Sequence, residues 1–92
     1  MIVRREIEVD NLKILIYFNI ENQYPLSFNS KFRKNFQPYK NSKELAFLIY
    51  GEIRSVYSNV TIDKIEVFET DKIVLIYKDD DYWNDYKKEI FK

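Results

Sequence analysis

Asn41-Ser42-Lys43-Glu44-Leu45-Ala46, running on through a change of hydrophobic period to Tyr77, is the stretch that decides how this chain is organised. Asn41 offers a short side-chain oxygen to the free amides of a helix's first turn. Glu44, three residues on, is placed to reach back to the cap amide. Leu45, Leu48, Ile49, Ile53 and Val56 then recur at helical spacing, so the sequence predicts an amphipathic helix over 42–57. Gly51 falls inside it at a cost of about 1 kcal/mol against alanine, and close approach of a neighbouring element is the expected reason. Beyond the helix the period drops to two. Val60–Glu69 and Lys72–Tyr77 read as the strands of a hairpin over 60–77.

Toward the N-terminus, Val3, Ile7 and Val9 fall on one face and Arg4, Glu6 and Glu8 on the other, with Arg5 the single break in the apolar face. Asp10-Asn11 suits a two-residue turn, because both side chains tolerate positive φ. Leu12, Ile14, Ile16, Phe18 and Ile20 continue in register, which predicts a hairpin over 2–20. A helix starting at Asp10 and using Leu12, Leu15, Ile16 and Ile20 is the alternative; β-branched density favours the strand. Residues 21–40 read as irregular and hold both prolines, Pro25 and Pro38. A short helix from Asn29 to Phe36 fits there, with Phe28, Phe32 and Phe36 at i, i+4 spacing. At the other end Asp79-Asp80-Asp81 stops the sheet and brings negative charge to the start of a last helix over 81–91, with Trp83, Tyr86 and Ile90 on its apolar side. The expectation is one small α+β domain of order β-β-α-α-β-β-α: hairpin, helices, hairpin, C-terminal helix.

Chemistry is narrowed by what the 92 residues lack. There is no histidine and no cysteine, which excludes Ser/His/Asp and Cys/His triads, disulfides and a histidine- or cysteine-bound zinc. With Gly51 the one glycine, no glycine loop cradles a phosphate. Fifteen basic and fifteen acidic residues cancel, so no global field recruits nucleic acid or an anionic membrane. The longest apolar run, Ile14 to Phe18, is too short to span a bilayer, and the opening residues show no signal-peptide pattern. A cytoplasmic protein with no catalytic residues, no cofactor and no metal site is therefore expected. Abundant Ile, Lys, Tyr and Asn suggest an AT-rich genome, cellular or viral.

Three groups of residues are candidates for binding. On a period-two strand Ile65, Val67 and Glu69 share a face, which carries the Glu69 carboxylate to the edge of the core. There it can accept paired N–H donors from a planar heterocycle; a solvated strand end is the structural alternative. Lys31, Arg33, Lys34, Lys40 and Lys43 interleave with Phe28, Phe32, Phe36 and Tyr39, as a single-stranded nucleic-acid patch would. Periodic aromatics suit a buried helix face equally, and nucleic acid is not the expected partner. Asp79, Asp80, Asp81 and Asp85 have the oxygens for a hard cation, but without a calcium-loop pattern they read as helix-capping and solubilising groups.

Residues 41–77 resemble the C-terminal half of the 6-pyruvoyl tetrahydropterin synthase and 6-carboxytetrahydropterin synthase family. Asn41-Ser42-Lys43-Glu44-Leu45-Ala46 is similar to the family's helix-start motif, Glu69-Thr70 to its strand-end Glu-Thr pair, and Tyr77 to its terminal strand aromatic. The resemblance implies a tunnelling-fold plan that assembles into oligomers, with Glu69 and Thr70 holding a pterin- or purine-like ring. The family's zinc histidines have no counterpart here, so the implied protein is a reduced, non-catalytic relative acting in binding or assembly. The alternative is a protein-interaction module of a virus or mobile element.

Overall fold

A computed structural model of the chain describes residues 2–20, 36–57 and 60–90. Strands β1 (Ile2–Val9) and β2 (Leu12–Ile20) form the first hairpin. Helix α1 (Ser42–Val56) follows, then the second hairpin of β3 (Val60–Glu69) and β4 (Lys72–Lys78), then helix α2 (Asp79–Ile90). Both hairpins join one antiparallel sheet in the order β1-β2-β3-β4. Leu12–Ile20 is thus a central strand, not a helix. Ile14 pairs with Ile7 on one side and Val67 on the other, and Ile14, Ile16 and Phe18 are wholly buried.

Two bulges adjust the period-two pattern. Tyr17 pairs with Lys64 but Phe18 with Ile62, leaving Asp63 as the extra residue. This lets Ile62 and Ile65, three apart, both face the core. In β4, Val67 pairs with Leu75 but Phe68 with Ile73, which makes Val74 the extra residue. The turns need left-handed backbone: Asp10 has φ 56°, and Thr70 and Asp71 have 51° and 64°. Two positive values in succession define the mirror-image turn that matches strand twist.

Helix α1 begins as its cap predicts. Asn41 Oδ1 accepts from the Glu44 amide at 2.9 Å, and the Asn41 carbonyl accepts from the Leu45 amide at 3.0 Å. Leu45, Ala46, Ile49, Tyr50 and Ile53 are its buried side chains, while Leu48 and Val56 are only half-buried. They close one core with Ile14, Ile16, Phe18, Ile65, Val67, Tyr77, Tyr82 and Phe36. Helix α2 starts two residues before the expected 81, directly after β4, which itself reaches Lys78. Its single buried residue is Tyr82; Tyr86 and Ile90 of the expected apolar side are exposed, and Trp83 is half-buried. The correction has a physical cause. Tyr82 stacks on Tyr50 with ring centroids 4.2 Å apart and on Phe47 at 5.2 Å, and Trp83 packs at the core's edge with Arg54 4.5 Å from its ring centroid, so the helix is anchored through its first half.

Gly51 sits opposite that anchor. A Cβ built there would lie 3.7 Å from the Tyr82 hydroxyl oxygen and 3.9 Å from its ring, ordinary contact distances. Close approach therefore does not require glycine. Gly51→Ala is expected to stabilise the protein by about 0.5–1 kcal/mol through helix propensity, read as a higher urea midpoint at unchanged slope. A lower midpoint would mean Tyr82 cannot yield.

The expected short helix over 29–36, with Phe28 and Phe32, lies outside the described residues. Phe36 is buried in the core, as a structural phenylalanine would be. Just after it, Gln37 Nε2 donates to Asp10 Oδ2 at 2.8 Å and the Tyr39 hydroxyl donates to the same oxygen. These bonds tie the segment to the β1–β2 turn.

Candidate interaction surface

Both helices pack on one face of the sheet, and the described elements leave the other face without a layer. Register assembles that face in rows: Glu8, Lys13, Phe68, Ile73; then Glu6, Leu15, Glu66, Ile76; then Arg4, Tyr17, Lys64, Lys78. Over β1 to β3 the rows close on themselves. Lys13 Nζ lies 3.7 Å from Glu6 and 5.6 Å from the Phe68 ring centroid. Lys64 Nζ lies 3.7 Å from Glu66 and 4.8 Å from the Tyr17 ring centroid. A hydrogen bond to Glu66, then burial, push the Tyr17 phenol above its ordinary range, with Arg4 opposing. Leu15, flanked across the strands by Glu6 and Glu66, is 8% exposed although neither α1 nor α2 packs on this face.

Strand β4 has no such cover. Ile73, Val74 and Ile76 are 45%, 47% and 48% exposed. As the end of the strand order, β4 also has one side without a strand neighbour among the described residues. The opposite edge, β1, is interrupted by Arg4, Arg5, Glu6 and Glu8, the usual protection of a sheet edge. In β4 protection is confined to the Val74 bulge and to Lys72 and Lys78 at the strand's ends. Neither lysine has a carboxylate within ion-pair distance among the described residues.

The residues singled out from sequence fall elsewhere. Glu69 does share the helix-side face, in the row Val9, Leu12, Glu69, Lys72, but at the turn end, where it and Thr70 are exposed. Lys31, Arg33 and Lys34 lie outside the described residues; Lys40 is exposed, and Lys43 sits 3.5 Å from Asp85. Asp79 accepts from the Tyr50 hydroxyl, Asp81 from the Lys78 amide at 2.9 Å, and Asp85 from the Tyr77 hydroxyl at 2.7 Å. They hold α2 to the domain, and among the described residues no three acidic side chains converge. Lys43, Glu44, Phe47, Asp85 and Lys88 line a shallow groove of about 190 Å³ between α1 and α2. It is smaller than the roughly 300 Å³ at which small-molecule pockets begin.

Sequence reasoning missed Ile73, Val74 and Ile76 as surface residues. An unbroken Ile-Val-Leu-Ile run ordinarily marks a strand covered on both faces. Its position as the last strand of an open sheet was the available signal. Compared with protein-family models, curated proteins and solved structures, the chain matches none. The resemblance to the pterin synthases rests on the quoted motifs alone.

Proposed function

We propose that this chain is a non-catalytic protein-interaction module whose β4 receives an extended segment of another protein as a fifth strand. The exposure of Ile73, Val74 and Ile76 on an edge strand, beside a face otherwise closed by paired charges, carries the reading. Three half-exposed aliphatic side chains fall well short of the ~800 Å² that a stable interface buries per partner. Main-chain hydrogen bonds along the edge supply the remainder in strand addition, with side chains giving selectivity. The purified complex tests it by amide hydrogen exchange. Exchange is expected to slow across Ile73–Tyr77 and not in β1, and Ile76→Asp to abolish the complex while leaving the fold intact. Protection centred on α1 or β1 instead would overturn the reading.

A second reading keeps Glu69 as a ligand anchor for a planar pterin- or purine-like ring. Thr70 favours it: a β-branched residue at φ 51° stores backbone strain, which concentrates at binding sites. Glu69→Gln would replace one acceptor oxygen with a donor amide. An affinity loss of about 1.5–3 kcal/mol is expected for a pterin or guanine, measured by calorimetry. No heat with any such ring in the wild-type protein would remove this reading.

A further inference from the structure

Resting on the strand-addition reading, we infer that Asp81 closes the C-terminal end of β4's free edge, so that a strand added by another protein takes its register from the main chain of Ile76 and stops short of Lys78. Along an antiparallel strand the N–H and C=O groups of successive residues turn to opposite sides. Lys78 lies opposite Lys64 in the register, yet its amide donates to Asp81 Oδ2 at 2.9 Å. That amide therefore points away from β3. Alternation then turns Tyr77 and Leu75 toward their partners Ile65 and Val67, and turns the N–H and C=O of Ile76 outward. The Ile76 side chain stands on the open face beside those outward groups, exposed to solvent. Main-chain donor, main-chain acceptor and apolar contact thus coincide at one residue.

Asp81 belongs to the first turn of α2, and its reach back to the amide just before the helix is that of a capping carboxylate. The same bond takes the last outward donor of β4 and leaves a carboxylate where a partner's carbonyl would have to lie. A carbonyl there would go unpaired, which favours ending the ladder at Ile76. On the other side Val74 is the extra residue and breaks the alternation. The partner strand therefore runs from Ile76 toward Ile73, with an apolar residue opposite Ile76. A second copy fits this edge poorly. Antiparallel pairing about Ile76 sets each Lys78, its amide already held, opposite the other copy's Val74; pairing about Leu75 sets each Ile76 opposite a bulge. Its own β4 also offers only the same three half-exposed side chains, whereas a stable interface buries ~800 Å² per partner.

The test takes the intact protein with a synthetic Thr/Ile/Val strand peptide and with the same peptide N-methylated throughout. In the free protein the Ile76 amide should exchange freely while those of Leu75 and Tyr77 are protected, read residue by residue by NMR. Bound peptide should protect Ile76 and leave the Lys78 amide as it was, and the N-methylated peptide should not bind. In Asp81→Ala the freed Lys78 amide should gain protection from the peptide, and binding should tighten about fivefold, the worth of one further main-chain bond. Asp81→Asn, whose amide oxygen still accepts, should keep the wild-type pattern. Loss of a carboxylate that only capped the helix would neither tighten binding nor bring protection to Lys78. Ile76 protected in the free protein, Lys78 newly protected in wild type, or Asp81→Ala without gain in affinity or in protection each overturns the inference and leaves strand addition standing. If Asp81→Ala does not fold, the first two of these still decide. No binding up to about 1 mM peptide, the weak end of measurable affinity, or binding indifferent to N-methylation, overturns both. A dimer in light scattering that Ile76→Asp dissolves makes a second copy the occupant and overturns the inference too.

Discussion

Raising the pH past about 10 is expected to unfold this protein steeply. Tyr50 and Tyr77 are 2% and 1% exposed, and their hydroxyls donate to Asp79 and Asp85. Burial first, and then the neighbouring carboxylates, push both phenols well above the ordinary 10.0. In the unfolded chain the same groups ionise near the ordinary value. Above it, the unfolded state loses protons that the folded state keeps, so stability falls as pH rises; below it, the two phenols contribute no pH dependence. Each costs about 1.4 kcal/mol per pH unit, or about 2.7 kcal/mol per unit together. A domain of this length holds roughly 5–14 kcal/mol in all, so two units suffice to remove most of a modest total. Urea midpoints across this pH range, with phenolate absorbance followed in parallel, provide the measurement. Phenolate from every tyrosine appearing while the fold stays intact would show that these hydroxyls are not held as described.

The two hairpins and α1 were legible because each rests on a local signal, whereas the β2–β3 pairing that joins the hairpins into one sheet is non-local and was not. Asn41 and Glu44 mark a helix start, Asp10 marks a turn, and Ile14, Ile16 and Phe18 alternate over a long enough stretch to fix a face. What was not legible depends on tertiary register. Nothing local says that Asp63 and Val74 are extra residues, yet these bulges set which of Ile62, Ile73 and Val74 reach the core. The anchoring of α2 through Tyr82 was equally hidden. Trp83, Tyr86 and Ile90 make the better stripe by spacing, but Tyr50 and Phe47 on α1 are where an aromatic finds flat partners.

Glu69 shows the limit of pattern for sites. Its place on the core-facing side was readable from Ile65 and Val67, but its exposure comes from standing beside a two-residue turn at the sheet's end. The apolar edge shows the converse. Ile73, Val74 and Ile76 look like core in sequence and become surface because no fifth strand lies beside β4 among the described elements. Leu15 lies on the same face, away from α1 and α2, and is buried between its cross-strand neighbours Glu6 and Glu66. Whether an apolar residue marks an interface is thus decided by its cross-strand neighbours, which sequence spacing alone does not place.

Substitutions at Tyr77 are expected to separate ring packing from hydrogen bonding at the junction of β4 and α2. Tyr77 is among the largest wholly buried side chains, sits edge-on to Tyr50 with centroids 6.3 Å apart, and reaches Asp85 through its hydroxyl at 2.7 Å. Tyr77→Ala removes the ring and leaves a cavity the sheet cannot close, and should cost at least about 4 kcal/mol. Tyr77→Phe keeps the ring and deletes one bond to a charged acceptor, for about 1.5–3 kcal/mol. Asp85 would then retain Lys43 at 3.5 Å, but that ammonium is half-exposed, so Lys43→Met should cost no more than about 1 kcal/mol. Urea denaturation at neutral pH ranks the three variants. Tyr77→Phe must also lose about half of the alkaline slope, because it removes one of the two phenols responsible. If that variant matched wild type at neutral pH and kept the full slope, the Tyr77–Asp85 bond would hold neither the helix nor the proton, and the alkaline transition would need another source.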